Sequence, residues 1–121
     1  WSGSDIRERA RLDLAGPDEE AGRKADRARL WRAFVDEGVA ADETPSAAEA
    51  DRAVDAALAF VARSPSPLVV VPVEDLLGRP EQPNLPGTVD QHPNWRRRLP
   101  VAAESIMDDS GVASRVKRCR R

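Results

Sequence analysis

Side chains able to do chemistry concentrate in one stretch, EQPNLPGTVDQHPNWRRRLP, residues 81–100. Asn84 carries an amide that both donates and accepts, suited to a sugar hydroxyl; its competing role is to cap its own loop backbone. His92 precedes a proline in polar surroundings and reads as an ordinary surface histidine. Trp95 reads as a packing anchor for the segment, ahead of a stacking platform. In extended chain Arg96 and Arg98 share one side and Arg97 the other, and the three are expected to pair with carboxylates outside this chain. Glu74 and Asp75 are adjacent, so on a strand end they diverge and read as local caps or ion pairs. Leu85-Pro86-Gly87-Thr88 fits a type II turn, with glycine where φ is positive.

The elements that must hold this stretch come from a chain of 121 residues, enough for one domain of ordinary size. Hydrophobic residues make up 40%, charged residues 33% and aromatics only 4%, so a core must be built from Ala, Val and Leu. A net charge of −2 provides no global field for nucleic acid or an anionic membrane. Cys119 is the only cysteine, which excludes an internal disulfide and makes a reducing compartment, the cytoplasm, the default. A zinc site would need that cysteine, the one histidine and scattered carboxylates, so no metal and no cofactor are expected. No apolar run approaches the roughly 20 residues of a membrane span, and with a polar start no signal peptide is expected. The start at Trp1, with Met107 the sole methionine, does not look like a natural translation start, and the chain is expected to be a fragment.

Helices are expected at about 5–13, 18–37 and 46–63. The second opens at Pro17 with acidic residues in its first turn, stops at Gly38, and carries Leu30, Trp31, Phe34 and Val35 as its apolar stripe. The third is capped by Thr44 or by a Ser46–Glu49 capping box, and its apolar face is Val54, Ala57, Leu58 and Val61. Ser-Pro-Ser-Pro at 64–67 ends it. LVVVPV at 68–73 then reads as a strand buried on both faces, because such β-branched runs belong to parallel sheets. Pro72 would cost a helix interior about 3 kcal/mol, which favours the strand. A parallel strand needs neighbours, and nothing else here reads as one, so the chain is expected to be one piece of a larger α/β protein. EDLLG at 74–78 reads as a helical stub, 79–100 as a loop, 101–109 as a short helix, and 110–121 as a frayed basic tail.

LLGRPEQPNLPGTVDQHPNWRRRLP resembles the C-terminal signature of the amylomaltases, the bacterial 4-α-glucanotransferases. Glu74 to Gly78, Glu81, Gln82, Asn84, Pro86 to Thr88 and Asn94 to Leu99 stand in the family's order. The N-terminal WSGSDIRERARLDL resembles, more weakly, the helix that follows the family's His-Asp motif. The resemblance implies an α/β fold: the C-terminal portion of a (β/α)8 barrel, mostly helical in this fragment with one buried parallel strand at 68–73. Residues 1–109 would belong to the catalytic barrel, with 79–100 across its active-site face. It also implies a retaining double displacement on α-1,4-glucans, run by carboxylates upstream of Trp1, so that no catalytic residue lies in this chain. The substrate would be a maltodextrin, with Asn84 as the substrate-binding residue.

Two rival readings stand beside this one. A small helical interaction module would bind nucleic acid through Arg96–Arg98 and the basic RVKRCRR at 115–121; the acidic balance and three tryptophans in separate segments count against it. A stand-alone structural protein is undercut by the orphan strand.

Overall fold

A computed structural model of the chain describes residues 1–119. Its elements are α1 (Ser4–Arg11), α2 (Glu19–Asp36), a 3₁₀ turn (Ala47–Glu49), α3 (Ala50–Arg63), α4 (Val73–Leu76), a second 3₁₀ segment (Ala103–Asp108) and α5 (Ser110–Arg118). The core lies between α2 and α3. Trp31 and Phe34 of α2 are buried against Ala53 and Ala56, whose small side chains make room for the rings. Trp1, Trp31, Phe34 and Phe60 form a chain of ring contacts at 5.6, 6.0 and 5.3 Å. The indole N–H groups are satisfied as they enter it: Trp1 donates to the Pro45 carbonyl (3.2 Å) and Trp31 to that of Ala41 (3.1 Å).

Local signals account for the ends of these helices. Gly38 takes φ 65°, its N–H donates to the Val35 carbonyl (2.9 Å), and the Val39 N–H reaches back to Phe34 (2.9 Å). That pair of bonds is a Schellman motif, and only glycine takes the left-handed position without strain. Before α3 the Ser46–Glu49 capping box forms, with the Glu49 carboxylate accepting from the Ser46 N–H at 3.0 Å. The stripe on α3 is rotated from the expected one: Ala53, Ala56, Leu58 and Ala62 are buried, whereas Val61 is exposed. On α2, Leu30 is likewise exposed. The larger α3 residues Val54, Leu58 and Val61 border a shallow groove shared with Val70 and Val71.

The expected α/β arrangement with a buried parallel strand at 68–73 is overturned. No strand is present among the described residues. Leu68 and Val70 are 73% and 80% exposed, and Val73 already belongs to α4. The physical reason is the ladder: a strand's N–H and C=O groups need a neighbouring strand, and no described segment supplies one. The run has no regular structure, with Val69 and Val71 half-buried and Leu68, Val70 and Pro72 turned to solvent.

The terminal stretch differs too, because 110–118, expected to fray, is helix α5. The Asp109 carboxylate caps it by accepting from the N–H groups of Gly111 (2.8 Å) and Val112 (3.0 Å). Val112 is fully buried. Arg115 then joins three elements, donating to Asp55 (3.0 Å) and Asp51 (2.5 Å) on α3 and to the Leu76 carbonyl (3.0 Å) on α4. Arg120 and Arg121 of the expected tail lie outside the described residues.

Candidate ligand-binding loop and cleft

Residues 79–100 have no regular structure, yet their backbone is closely tied down. Helix α4 releases the chain through Gly78 at φ 64°, with the Arg79 N–H returning to the Glu74 carbonyl at 2.8 Å. Ser4 of α1 donates through its hydroxyl to the Pro80 carbonyl (3.2 Å), which fastens the loop's start to the first helix. The turn at Leu85–Thr88 is closed by the Thr88 N–H on the Leu85 carbonyl (3.3 Å), with Gly87 at φ 87° as a type II turn requires. Leu85 is 1% exposed, and the Leu14 side chain stands beside Gly87.

Asn94 holds that turn from outside. Its Oδ1 accepts from the Leu85 N–H (2.8 Å), while its Nδ2 donates to the Thr88 carbonyl (3.1 Å) and hydroxyl (2.9 Å). A backbone N–H can only donate and a carbonyl can only accept, so these partners fix which way the amide faces. Asn84, the expected substrate contact, is half-buried at the mouth of the same turn and caps nothing: its amide makes no hydrogen bond among the described residues.

His92 is not a surface histidine; it is 1% exposed. Its Nε2 lies 3.1 Å from the Gln82 carbonyl and must carry the proton there, since a carbonyl only accepts. Nδ1 is buried without a hydrogen bond, 3.6 Å from a Glu8 oxygen of α1. Beside it a hollow of about 110 Å³ also touches Glu81.

Trp95 corrects the expectation of a packing anchor, for it is 76% exposed. Its backbone is left-handed, φ 57°, a conformation that costs a bulky residue about 1–3 kcal/mol. The neighbours impose it: the Trp95 N–H donates to the Pro83 carbonyl (2.8 Å), and the Asn94 N–H to that of His92 (2.8 Å). The indole is thereby turned out over a cleft of about 390 Å³, walled by Glu74, Arg79, Glu81, Arg97 and Arg98. Arg79 pairs with Glu81 at 2.8 Å, yet the second Glu81 oxygen is buried with no partner. Burial, then the neighbouring Glu74 carboxylate, hold Asp75 above the ordinary carboxylate range, although its side chain as a whole is exposed.

The arginines do not form a one-signed face. Arg96 meets Asp90 at 3.8 Å, Arg97 and Arg98 share their cleft with two glutamates, and Arg115 is turned inward onto aspartates. Of Arg96–Arg98, expected to pair outside the chain, Arg96 makes an ion pair within it. Sequence reasoning missed three features: the Asn94 clasp, the buried His92 and the unpartnered Glu81 oxygen. Asn94 and Glu81 belong to the motif that carried the resemblance, which was the available signal.

Among the described residues, no group of three or more His, Cys, Asp or Glu side chains is placed to hold a metal ion. Nor is any helix long and apolar enough to cross a membrane.

Comparison with known proteins agrees with the loop's motif. The profile of the family described as 4-alpha-glucanotransferase matches residues 14–103. A 4-alpha-glucanotransferase of Mycobacterium bovis is 32% identical over 122 aligned positions, covering 93% of this chain and 17% of its own length. Proteins of the same description from two strains of Mycobacterium tuberculosis match to the same extent. The chain therefore spans only about 17% of the length of these relatives. No solved structure matches it significantly. With the profile running through the turn, the clasp and the arginine cleft, the chain belongs to the 4-alpha-glucanotransferase family.

Proposed function

We propose that this chain is the C-terminal part of a cytoplasmic 4-α-glucanotransferase that moves α-1,4-glucan segments between maltodextrins. The observation that carries the reading is the family match over residues 14–103. The reaction is a retaining double displacement. A carboxylate attacks the anomeric carbon as the glycosidic C–O bond breaks, and a carboxylic acid protonates the departing sugar oxygen. That same group then removes a proton from the acceptor hydroxyl, which displaces the enzyme carboxylate and restores the α-linkage. Nucleophile and acid lie outside this chain, and the chemistry needs neither metal nor cofactor.

Asn84 is the residue of this chain that we assign to substrate contact. Its amide is uncommitted at the entrance to a rigid turn, so a sugar hydroxyl can take both its donor and its acceptor. The partner is a maltodextrin, not nucleic acid, because the basic residues are interleaved with carboxylates. The test is acceptor exchange in the complete polypeptide that carries this chain. Labelled glucose should enter maltodextrins at the reducing end, and Asn84→Ala should lower kcat/KM about tenfold, equivalent to about 1.4 kcal/mol. No incorporation by the unaltered protein would overturn the reading; an unchanged ratio in the variant would remove Asn84 from it.

A further inference from the structure

The cleft under Trp95 shares no lining residue with the turn at Leu85–Thr88 or the Asn94 side chain that holds it. We propose that it is a carbohydrate-binding cleft, taking one hexopyranose unit of a neutral oligosaccharide with the Trp95 indole against the sugar's apolar face. The choice of an α-glucan as ligand rests on the function proposed above; the sugar-binding character of the cleft does not.

Three observations converge on it. Backbone strain at Trp95 is spent on exposing the largest apolar side chain in the loop, the reverse of what packing alone would select. The cleft, about 390 Å³, falls within the range of small-ligand sites, roughly 300–1,000 Å³. Its polar wall mixes signs. Arg97 and Arg98 offer guanidinium donors, Glu74 offers an acceptor, and the Arg79–Glu81 pair offers both. A hydroxyl donates and accepts at once, so it matches such a wall. A phosphate or a nucleic-acid backbone offers only acceptor oxygens to such a wall and would leave its two carboxylates without a donor. Asn84 is not among the lining residues, so this contact adds to the one assigned above.

The experiment uses the complete polypeptide, labelled with 5-fluorotryptophan, the Trp95 resonance being assigned by its loss in Trp95→Phe. Maltoheptaose should shift that resonance saturably, and inorganic phosphate should leave it in place. Trp95→Gly provides the control for folding, because glycine is at ease at φ 57°. It should melt at or above the temperature of the unaltered protein, yet raise the Kd and KM for maltoheptaose about three- to tenfold at nearly constant kcat. A resonance that ignores maltoheptaose, or one that moves with phosphate instead, overturns the proposal. So does a Trp95→Gly variant that binds maltoheptaose normally. Transfer activity with a silent Trp95 would sink this site and leave the glucanotransferase reading intact; a saturable shift without transfer would do the opposite.

Discussion

Replacing Asn94 by alanine should loosen the turn at Leu85–Thr88 more than any other single change in the loop. Three hydrogen bonds are lost, one to the Leu85 N–H and two to Thr88. They are not equivalent. Leu85 is 1% exposed, so its N–H is left without water to replace the amide, a cost of about 1–3 kcal/mol. The Thr88 partners are half-buried and can rehydrate, so each of those bonds contributes about 0.5 kcal/mol net. The sum is about 2–4 kcal/mol. At 1.4 kcal/mol per factor of ten, the Leu85 amide should then exchange with solvent about 30- to 700-fold faster. Residue-resolved hydrogen exchange reads this directly. Asn94→Asp separates the two halves of the clasp, since its carboxylate still accepts from Leu85 but cannot donate to Thr88. It should keep Leu85 slow while releasing Thr88. Unchanged exchange at Leu85 in the alanine variant would refute the clasp, and so would identical behaviour of the two variants.

Arg115→Ala should cost about 2–3 kcal/mol in urea unfolding, because two charged hydrogen bonds and one to a carbonyl disappear together; Arg115→Lys should recover less than half, having no fork to span them. Gly78→Ala should cost about 1–3 kcal/mol, since its φ is +64° and a Cβ would stand 2.8 Å from an Arg115 nitrogen and 3.0 Å from an Asp51 oxygen; full stability would disprove that crowding. The Arg23 hydrogen bond holds Asp5 below its ordinary 3.8, so its contribution is complete above that pH and is lost as the pH falls through the folded value. The Ser46 backbone and the Arg52 and Ser46 side chains hold Glu49 at about 2, so the start of α3 should loosen as the pH falls from 4.5 towards 2. Asp5→Asn should flatten the acid limb of a thermal-melting series, and an unaltered limb would rule out the Asp5–Arg23 pair.

What was legible in the sequence was local. Gly38 and the Ser46–Glu49 box work within a few residues of themselves, as does the Pro86-Gly87 turn, and each can be read from a short window. The rest depended on partners far along the chain. LVVVPV carries a strand's composition, but composition does not show whether a ladder is available, and here the run pairs with no strand among the described residues and leaves Leu68 and Val70 exposed. Helix α5 looked like a charged tail because its anchor, Arg115, finds its carboxylates 60 and 64 residues away. Small alanines rather than valines face the α2 rings, which an apolar-stripe count weighs the wrong way. In the loop, the motif was visible but its division of labour was not. Asn94 sits nine residues from the N–H it satisfies, and Trp95 is turned outward by a left-handed backbone that no residue type announces.

The central claim, that this chain is a non-catalytic part of a glucan-transferring enzyme, is tested most directly with maltotriose. The complete polypeptide should convert it to glucose and longer maltodextrins with retention at the anomeric carbon, while the purified 121-residue chain should leave it untouched. Failure of the complete polypeptide to make those products, or their formation by the chain alone, would contradict the account.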